Sequence, residues 1–360
     1  MESNGLAGYH NGRNNGGMPP KNGGESMAFN IKDVAKLAGV SHTTVSRALN
    51  SPEKVKPQTL ERIKKIVEET GYTPNLSARS MVGGQKYAIG LLVLYELESF
   101  PAGFLASIVE GICVELDKKG YALNIAFQST HFGREKLPQT LGQSRVDGLL
   151  LLAVDPLRDL GALLENLSMP VVAINEPLGG TNGYVVADEA GGAECAVSHL
   201  IARGHTKILY INGTPSRSSS IQRREGYLAA LKKHGLIYDK ALDACANFSK
   251  EEAYTCTCGL LDSGTAFDAV FAANDLMALG AMHALQEHGR KIGKEVAVAG
   301  FDNQDFASFT APPLTTVKKP RHQMGAEAAR LILDLVAQNV RPKGSTRIVL
   351  PARLIVREST

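Results

Sequence analysis

Apolar positions recur at helical spacing in three short runs near the start of the chain, and then the pattern changes. Val34, Ala35 and Ala38 fall on one face of a first predicted helix, and Val45, Ala48 and Leu49 on one face of a second. Gly39 lies between them, where a helix end often needs a residue with positive φ. Ser41 precedes the second run and can cap it by accepting from its free N–H groups. Leu60, Ile63, Ile66 and Val67 predict a third amphipathic helix, with Pro57 at its first position. Two helices joined by a short turn with a glycine form the helix-turn-helix pattern. From about Tyr87 the apolar runs become continuous, as in strands covered on both faces. They occupy 88–94, 121–126, 146–153, 171–175, 208–211, 269–272 and 296–299. Amphipathic helices fall between them; the first carries Ile108, Ile112 and Leu116 and is stopped by Gly120. This alternation predicts parallel sheets with helices on both sides, and a span of about 270 residues is enough for two such units.

The outward positions of the second helix are His42, Thr43, Thr44, Ser46 and Arg47. Short donors and acceptors beside one long cation suit base edges and phosphates in a major groove, although a plain helical hairpin with a polar face would show the same set. The wider sequence carries more. IKDVAKLAGVS, TTVSRALN and GYTPNLSARSM stand in order within 31–81. This stretch resembles the headpiece and hinge of the lactose/purine-repressor (LacI/GalR) family of bacterial transcription regulators. The later order of segments resembles that family's effector domain, so the resemblance spans 29–360.

The resemblance implies an α/β protein with an N-terminal helix-turn-helix headpiece and a two-lobed, periplasmic-binding-protein-like effector domain of two parallel sheets flanked by helices. Its boundaries would be a disordered tail at 1–28, a headpiece at 29–74, a hinge helix and linker at 75–86, and an effector-binding and dimerisation domain at 87–360. The N-lobe would take about 87–188 and 318–350, and the C-lobe about 189–317 and 351–360. The chain would cross between lobes near Asp188, near 316–319 and near 350–351. Within the headpiece, the resemblance implies that Arg47 reads a guanine, that His42 and Thr43 read neighbouring bases, and that Lys32, Thr44 and Ser46 meet phosphates. Ser41 and Asn50 join the DNA-binding set, with Ser77, Arg79 and Met81 in the hinge. Met81 matches the position of an apolar wedge in the operator's central minor groove, where Leu is usual. Lys56 also departs from the family, which usually places a Ser or Thr cap there.

Ligands of two-lobed α/β proteins sit at strand ends between the lobes. Phe104, Asn175, Arg223, Asn274, Asp275 and Asp302 stand where the family binds its effector. A carboxylate accepting from vicinal hydroxyls, and a guanidinium donating to two oxygens, suit a sugar. Each polar residue also has a local reading: Asn274 or Asp275 as a helix cap, Asp302 as a turn residue, Arg223 as a solvated helix residue near Glu225. Relatives often carry Asp where Asn175 stands. The pair Arg223-Arg224 leaves a phosphorylated or acidic ligand open.

Composition narrows the picture. A 44% hydrophobic content over 360 residues supports more than one core. The net charge is only +3, so DNA affinity needs a local patch. The headpiece supplies it: eight Lys and Arg face five Asp and Glu between 29 and 74, which equals the excess of the whole chain. Cys113, Cys195, Cys245, Cys256 and Cys258 are scattered and odd in number, which predicts core thiols rather than disulfides or a metal site. No cofactor is expected. G-x-x-x-x-G-K-[ST], G-x-S-x-G and H-E-x-x-H are absent, and no dinucleotide fingerprint follows the first strand. His205 in ARGHTKI reads as a turn residue. There is no apolar run of membrane-spanning length and no export signal, so a cytoplasmic protein is expected. A plain carbohydrate-binding protein of periplasmic type would lack the headpiece. The expected molecule is a homodimeric repressor of carbohydrate uptake or catabolism genes, binding palindromic operator DNA under control of a sugar or sugar phosphate. Whether the effector releases DNA or promotes binding is open.

Overall fold

The computed structural model describes residues 29–50, 52–72, 85–95, 102–129, 146–153, 161–339 and 345–360. The tail at 1–28 and the hinge positions Ser77, Arg79 and Met81 lie outside these. The chain divides into two compact units, 1–79 and 80–360.

The first unit holds α1 (Ile31–Ala38), α2 (His42–Asn50) and α3 (Pro57–Thr70). Asn30 caps α1 by accepting from Lys32 N and Asp33 N, while Asp33 reaches back to the amide of Asn30. This capping box was not foreseen. Gly39 takes φ +62° and ends α1. Ser41 Oγ accepts from Thr44 N at 3.2 Å and caps α2. Lys56 gives α3 no side-chain cap. Val34, Ala35, Ala38, Val45, Ala48, Ile63 and Tyr72 form the core, so the helical periodicity of the sequence selected the buried face of each helix.

The second unit contains two six-stranded sheets. The first has β1 (Ala88–Tyr95), β2 (Ala122–Ser129), β3 (Gly148–Ala153), β4 (Val171–Ile174), β5 (Gly183–Ala187) and β11 (Thr346–Leu350), in the order β11-β5-β4-β3-β1-β2 and parallel throughout. The second has β6 (Ile208–Asn212), β7 (Asp243–Cys245), β8 (Ala269–Ala272), β9 (Ala297–Asp302), β10 (Thr315–Lys318) and β12 (Arg353–Ile355). Its order is β12-β10-β9-β8-β6-β7, with only β12 antiparallel. Helices α4 (Ala102–Asp117), α5 (Gly161–Glu165) and α10 (Arg321–Gln338) accompany the first sheet. Helices α6 (Glu189–Ala202), α7 (Ser218–Lys233), α8 (Lys250–Asp262) and α9 (Asp275–Glu287) accompany the second. Each sheet has its own buried core. The chain passes from the first sheet to the second after Ala187, returns after Lys318, and passes again after Leu350.

Among the described residues, helices pack closely through glycine, α9 on α8 at Gly280 among them. A Cβ at Gly111 of α4 would strike the carbonyl of His322, and one at Gly226 of α7 would strike the carbonyl of Ala190. The second contact seats α7 on the first turn of α6 and so brings Arg223 beside Glu189. The cysteines are not core groups, contrary to expectation. Cys113, Cys195 and Cys245 are exposed, Cys256 and Cys258 are half-buried, and all are free.

Candidate functional site

The headpiece presents Lys32, Ser41, His42, Thr43 and Arg47 to solvent, with Thr44 and Ser46 half-buried. Arg47 projects from α2 between the core residues Val45 and Ala48, which fix the helix face that faces outward. Ser41 and Thr44 are engaged with each other, their hydroxyls 2.9 Å apart, besides the cap that Ser41 provides. The position of Asn50 in α2 is described, while its side chain is not.

In the second unit the expected site residues converge on the junction of the two sheets. Arg223 is almost fully buried, which excludes its reading as a solvated helix residue. Its Nε donates to Glu189 Oε2 at 2.7 Å, its Nη2 to Asp302 Oδ1 at 3.3 Å, and its Nη1 to the carbonyl of Ala273. The guanidinium carbon lies 3.8 Å from the Phe301 ring centroid. Lys319 Nζ donates to Asn175 Oδ1 at 2.6 Å and pairs with Glu189 Oε1 at 2.6 Å. It also lies 5.5 Å from the Phe104 ring centroid. Asn175 and Asp302 both have positive φ, 78° and 102°, a costly conformation for non-glycine residues that is held where the surroundings over-determine it. Asp302 ends β9 rather than following it in a turn.

Asn274 takes its local reading as a helix cap, and Asp275 does not. Asn274 Oδ1 caps α9 by accepting from Met277 N at 2.7 Å. Asp275 has no solvent exposure; its carboxyl accepts from Gln304 N at 2.6 Å and from Thr316 Oγ1 at 2.5 Å. Both of its carboxyl oxygens are thus engaged by protein groups. Burial, reinforced by the charge of Asp302, pushes its carboxyl up to about 7 against the opposing hydrogen bonds. Arg224 also turns away, donating to Asp243 Oδ2 at 2.8 Å and to the Tyr238 hydroxyl at 3.0 Å. His205 Nδ1 stands 3.6 Å from Asp268, in the turn before β6.

Sequence reasoning missed Glu176, Glu189 and Lys319. All three are buried. Burial works to raise the Glu189 carboxyl, but Arg223 and Lys319 outweigh it and hold the group at about 2. Glu176 Oε2 accepts from Ser218 Oγ at 2.5 Å and so links the loop after β4 to the start of α7. Burial pushes its carboxyl upward, opposed by Ser218 and Lys319. The available signal was positional: Glu189 opens the helix just after the first passage between sheets, and Lys319 lies in the second. A cavity of about 690 Å³ between α8 and α9, lined by Lys250, Tyr254, Leu279, His283 and Gln286 among others, includes none of these residues.

Residues 30–75 match the family described as bacterial regulatory proteins, lacI family, and residues 197–360 match the periplasmic binding protein-like domain. The chain is 36% identical over 334 residues to the HTH-type transcriptional regulator CelR of Thermobifida fusca, covering 91% of this chain and 97% of that protein. It is 30% identical over 313 residues to the ribose operon repressor of Escherichia coli (strain K12), covering 86% of this chain and 93% of that protein. Among solved structures, a CelR–cellobiose complex matches with a TM-score of 0.70 at 34% identity, over 92% of this chain and 99% of that one. The lac repressor dimer bound to operator and the anti-inducer ONPF matches with a TM-score of 0.76 at 28% identity, again over 92% and 99%. Fold and sequence together define a DNA-binding transcription regulator with a helix-turn-helix headpiece and a two-lobed α/β domain. The chain belongs to the lacI family of bacterial regulatory proteins. Among the described residues no helix is long and apolar enough to cross a membrane.

Proposed function

We propose that this protein is a cytoplasmic, homodimeric repressor of carbohydrate genes. In this reading it binds a palindromic operator through its headpieces, a small polyhydroxylated effector occupies the junction between the sheets, and the chain carries out no catalysis. The observation that carries the reading is the outward face of α2. Arg47, His42 and Thr43 stand exposed on a helix whose opposite face is fixed in a three-helix core. A two-fold arrangement would place two such helices on two half-sites. The sugar reading is supported by one relative named for a ribose operon and another solved as a complex with cellobiose, and by Asn175, Arg223, Asp302 and Phe104 lying around one ion network. Residues 29–74 serve as headpiece, 75–86 as hinge and 87–360 as sensor.

The test is operator affinity at fixed salt. Arg47→Ala is expected to cost about 1–3 kcal/mol on operator DNA and little on random DNA. Equal losses on both would assign Arg47 to phosphate. Failure of the wild-type protein to retard any fragment of its own genome would remove the DNA-binding reading.

A further inference from the structure

We propose that Asp275 and Thr316 are positioning residues for the effector site: together they hold the turn after β9 in the backbone conformation that sets the Asp302 carboxylate beside Arg223. This inference rests on the effector reading above and extends it to two residues with no solvent exposure.

The turn at 302–304 has an unusual backbone. Asp302 and Asn303 have φ of 102° and 48° in succession. That region favours glycine, and other residues occupy it only where their surroundings impose it. Two successive amides show what imposes it here. Asn303 N donates to Thr316 Oγ1 at 3.2 Å, and Gln304 N donates to Asp275 Oδ2 at 2.6 Å. Thr316 Oγ1 in turn donates to Asp275 Oδ1 at 2.5 Å. Successive amides that point to one side form a concavity for an acceptor. In this turn the acceptor is a threonine–aspartate pair of the chain itself. The Thr316 hydroxyl accepts from the turn and donates to the acid, so its loss would break both links.

The pair comes from two other elements. Asp275 opens α9, where Asn274 already provides the cap, so its carboxyl is left for the turn. Thr316 lies on β10 and pairs with Gly300 of β9. Gly300 gives the carboxyl its room, because a Cβ there would strike Asp275 Oδ1. Arg321 and Arg357 add contacts to the carbonyl and side chain of Asn303. The amides, whose direction follows the rotation of the turn, are held by Thr316 and Asp275. Asp302 itself is reachable: its side chain is 17% exposed, and its Oδ1 accepts from Arg223 Nη2 at 3.3 Å.

The experiment uses the purified full chain. T316V keeps the shape of the side chain and removes both links, T316S keeps the hydroxyl, and D275N leaves one acceptor for two donors. Crystal structures without ligand are expected to show Asp302 displaced from Arg223 in T316V and D275N, and in place in T316S. A cooperative melt identifies each variant as folded, and the conservative T316V carries the test where D275N does not fold. Calorimetry with glucose, galactose, ribose and cellobiose reads the consequence. The sugar that binds wild type is expected to bind T316V about tenfold more weakly, the loss of roughly one hydrogen bond to a charged group. T316S is expected to bind it as wild type does. Adding T316V to D302N is expected to cost little, because both changes act through one carboxylate. A general packing role for Thr316 would instead give losses that add. Asp302 in its wild-type place in T316V, or additive losses from T316V and D302N, overturns the proposal. Binding of none of these sugars by wild type would count against the effector reading alone, and the crystal structures would still decide whether Thr316 and Asp275 place Asp302.

Discussion

Asp275 and Glu189 show what burial does to the same functional group in two settings. Glu189 lies between two cations, and its carboxyl is held at about 2. It stabilises the fold fully above its ordinary value near 4.5, and that contribution is lost as pH falls toward 2. Asp275 lies among neutral donors and beside another acid, and its carboxyl is raised to about 7. Between its ordinary value of 3.8 and about 7, the folded protein holds a proton that the unfolded chain has released. Stability must therefore fall as pH rises through that window, by up to about 1.4 kcal/mol per pH unit. The melting temperature is expected to decline from about pH 5 to pH 7, and Asp275→Asn is expected to flatten the decline. A wild-type slope retained in Asp275→Asn would exclude this carboxyl as its source. The sequence could place both acids at element starts, but it could not tell a matched charge from an unmatched one, because the matching residues are about 30 to 130 positions away.

At the scale of elements, legibility followed continuous apolar runs, and β5, β7, β10, β11 and β12 lie outside the runs read as strands. The long buried strands and the three headpiece helices could be read directly from their apolar spacing. Strands β7 and β12 have three residues each and none fully buried, so no periodicity marked them. Strand β9 runs on to Asp302 because pairing with β10 continues through Lys318, a long-range cause that a local pattern does not carry. The departure at Lys56 was legible and has a consequence. With no side-chain cap, the first N–H groups of α3 lack the acceptor that Ser would supply. Lys56→Ser is expected to stabilise the headpiece by about 0.5–1 kcal/mol, read from the thermal unfolding of residues 29–79 within the full chain. It should also weaken operator binding if Lys56 contacts phosphate, and a shallower salt dependence of operator affinity would reveal that contact. An unchanged or lower headpiece melting temperature would show that capping is not what limits α3.

Across the second unit, two passages of chain between the sheets are bound to each other. Glu189 opens the helix after the first passage, Lys319 lies in the second, and their side chains meet at 2.6 Å inside protein. Lys319 also holds Asn175 at the end of β4 in the first sheet. Lys319→Met is expected to destabilise this unit by roughly 3–5 kcal/mol, because it leaves Glu189 only partly matched; denaturant midpoints at pH 7 would measure it. A loss below about 1 kcal/mol would mean that Arg223 alone satisfies the acid. The tie constrains motion as well as stability. Two connections fastened at one point let the sheets swing about that point but oppose sliding or separation. The sensor is then expected to behave as a pinned joint with one soft coordinate. Ligands of different shape would stop it at different angles along one path, so an agonist, a weak agonist and an antagonist would differ in degree of rotation rather than in kind of movement.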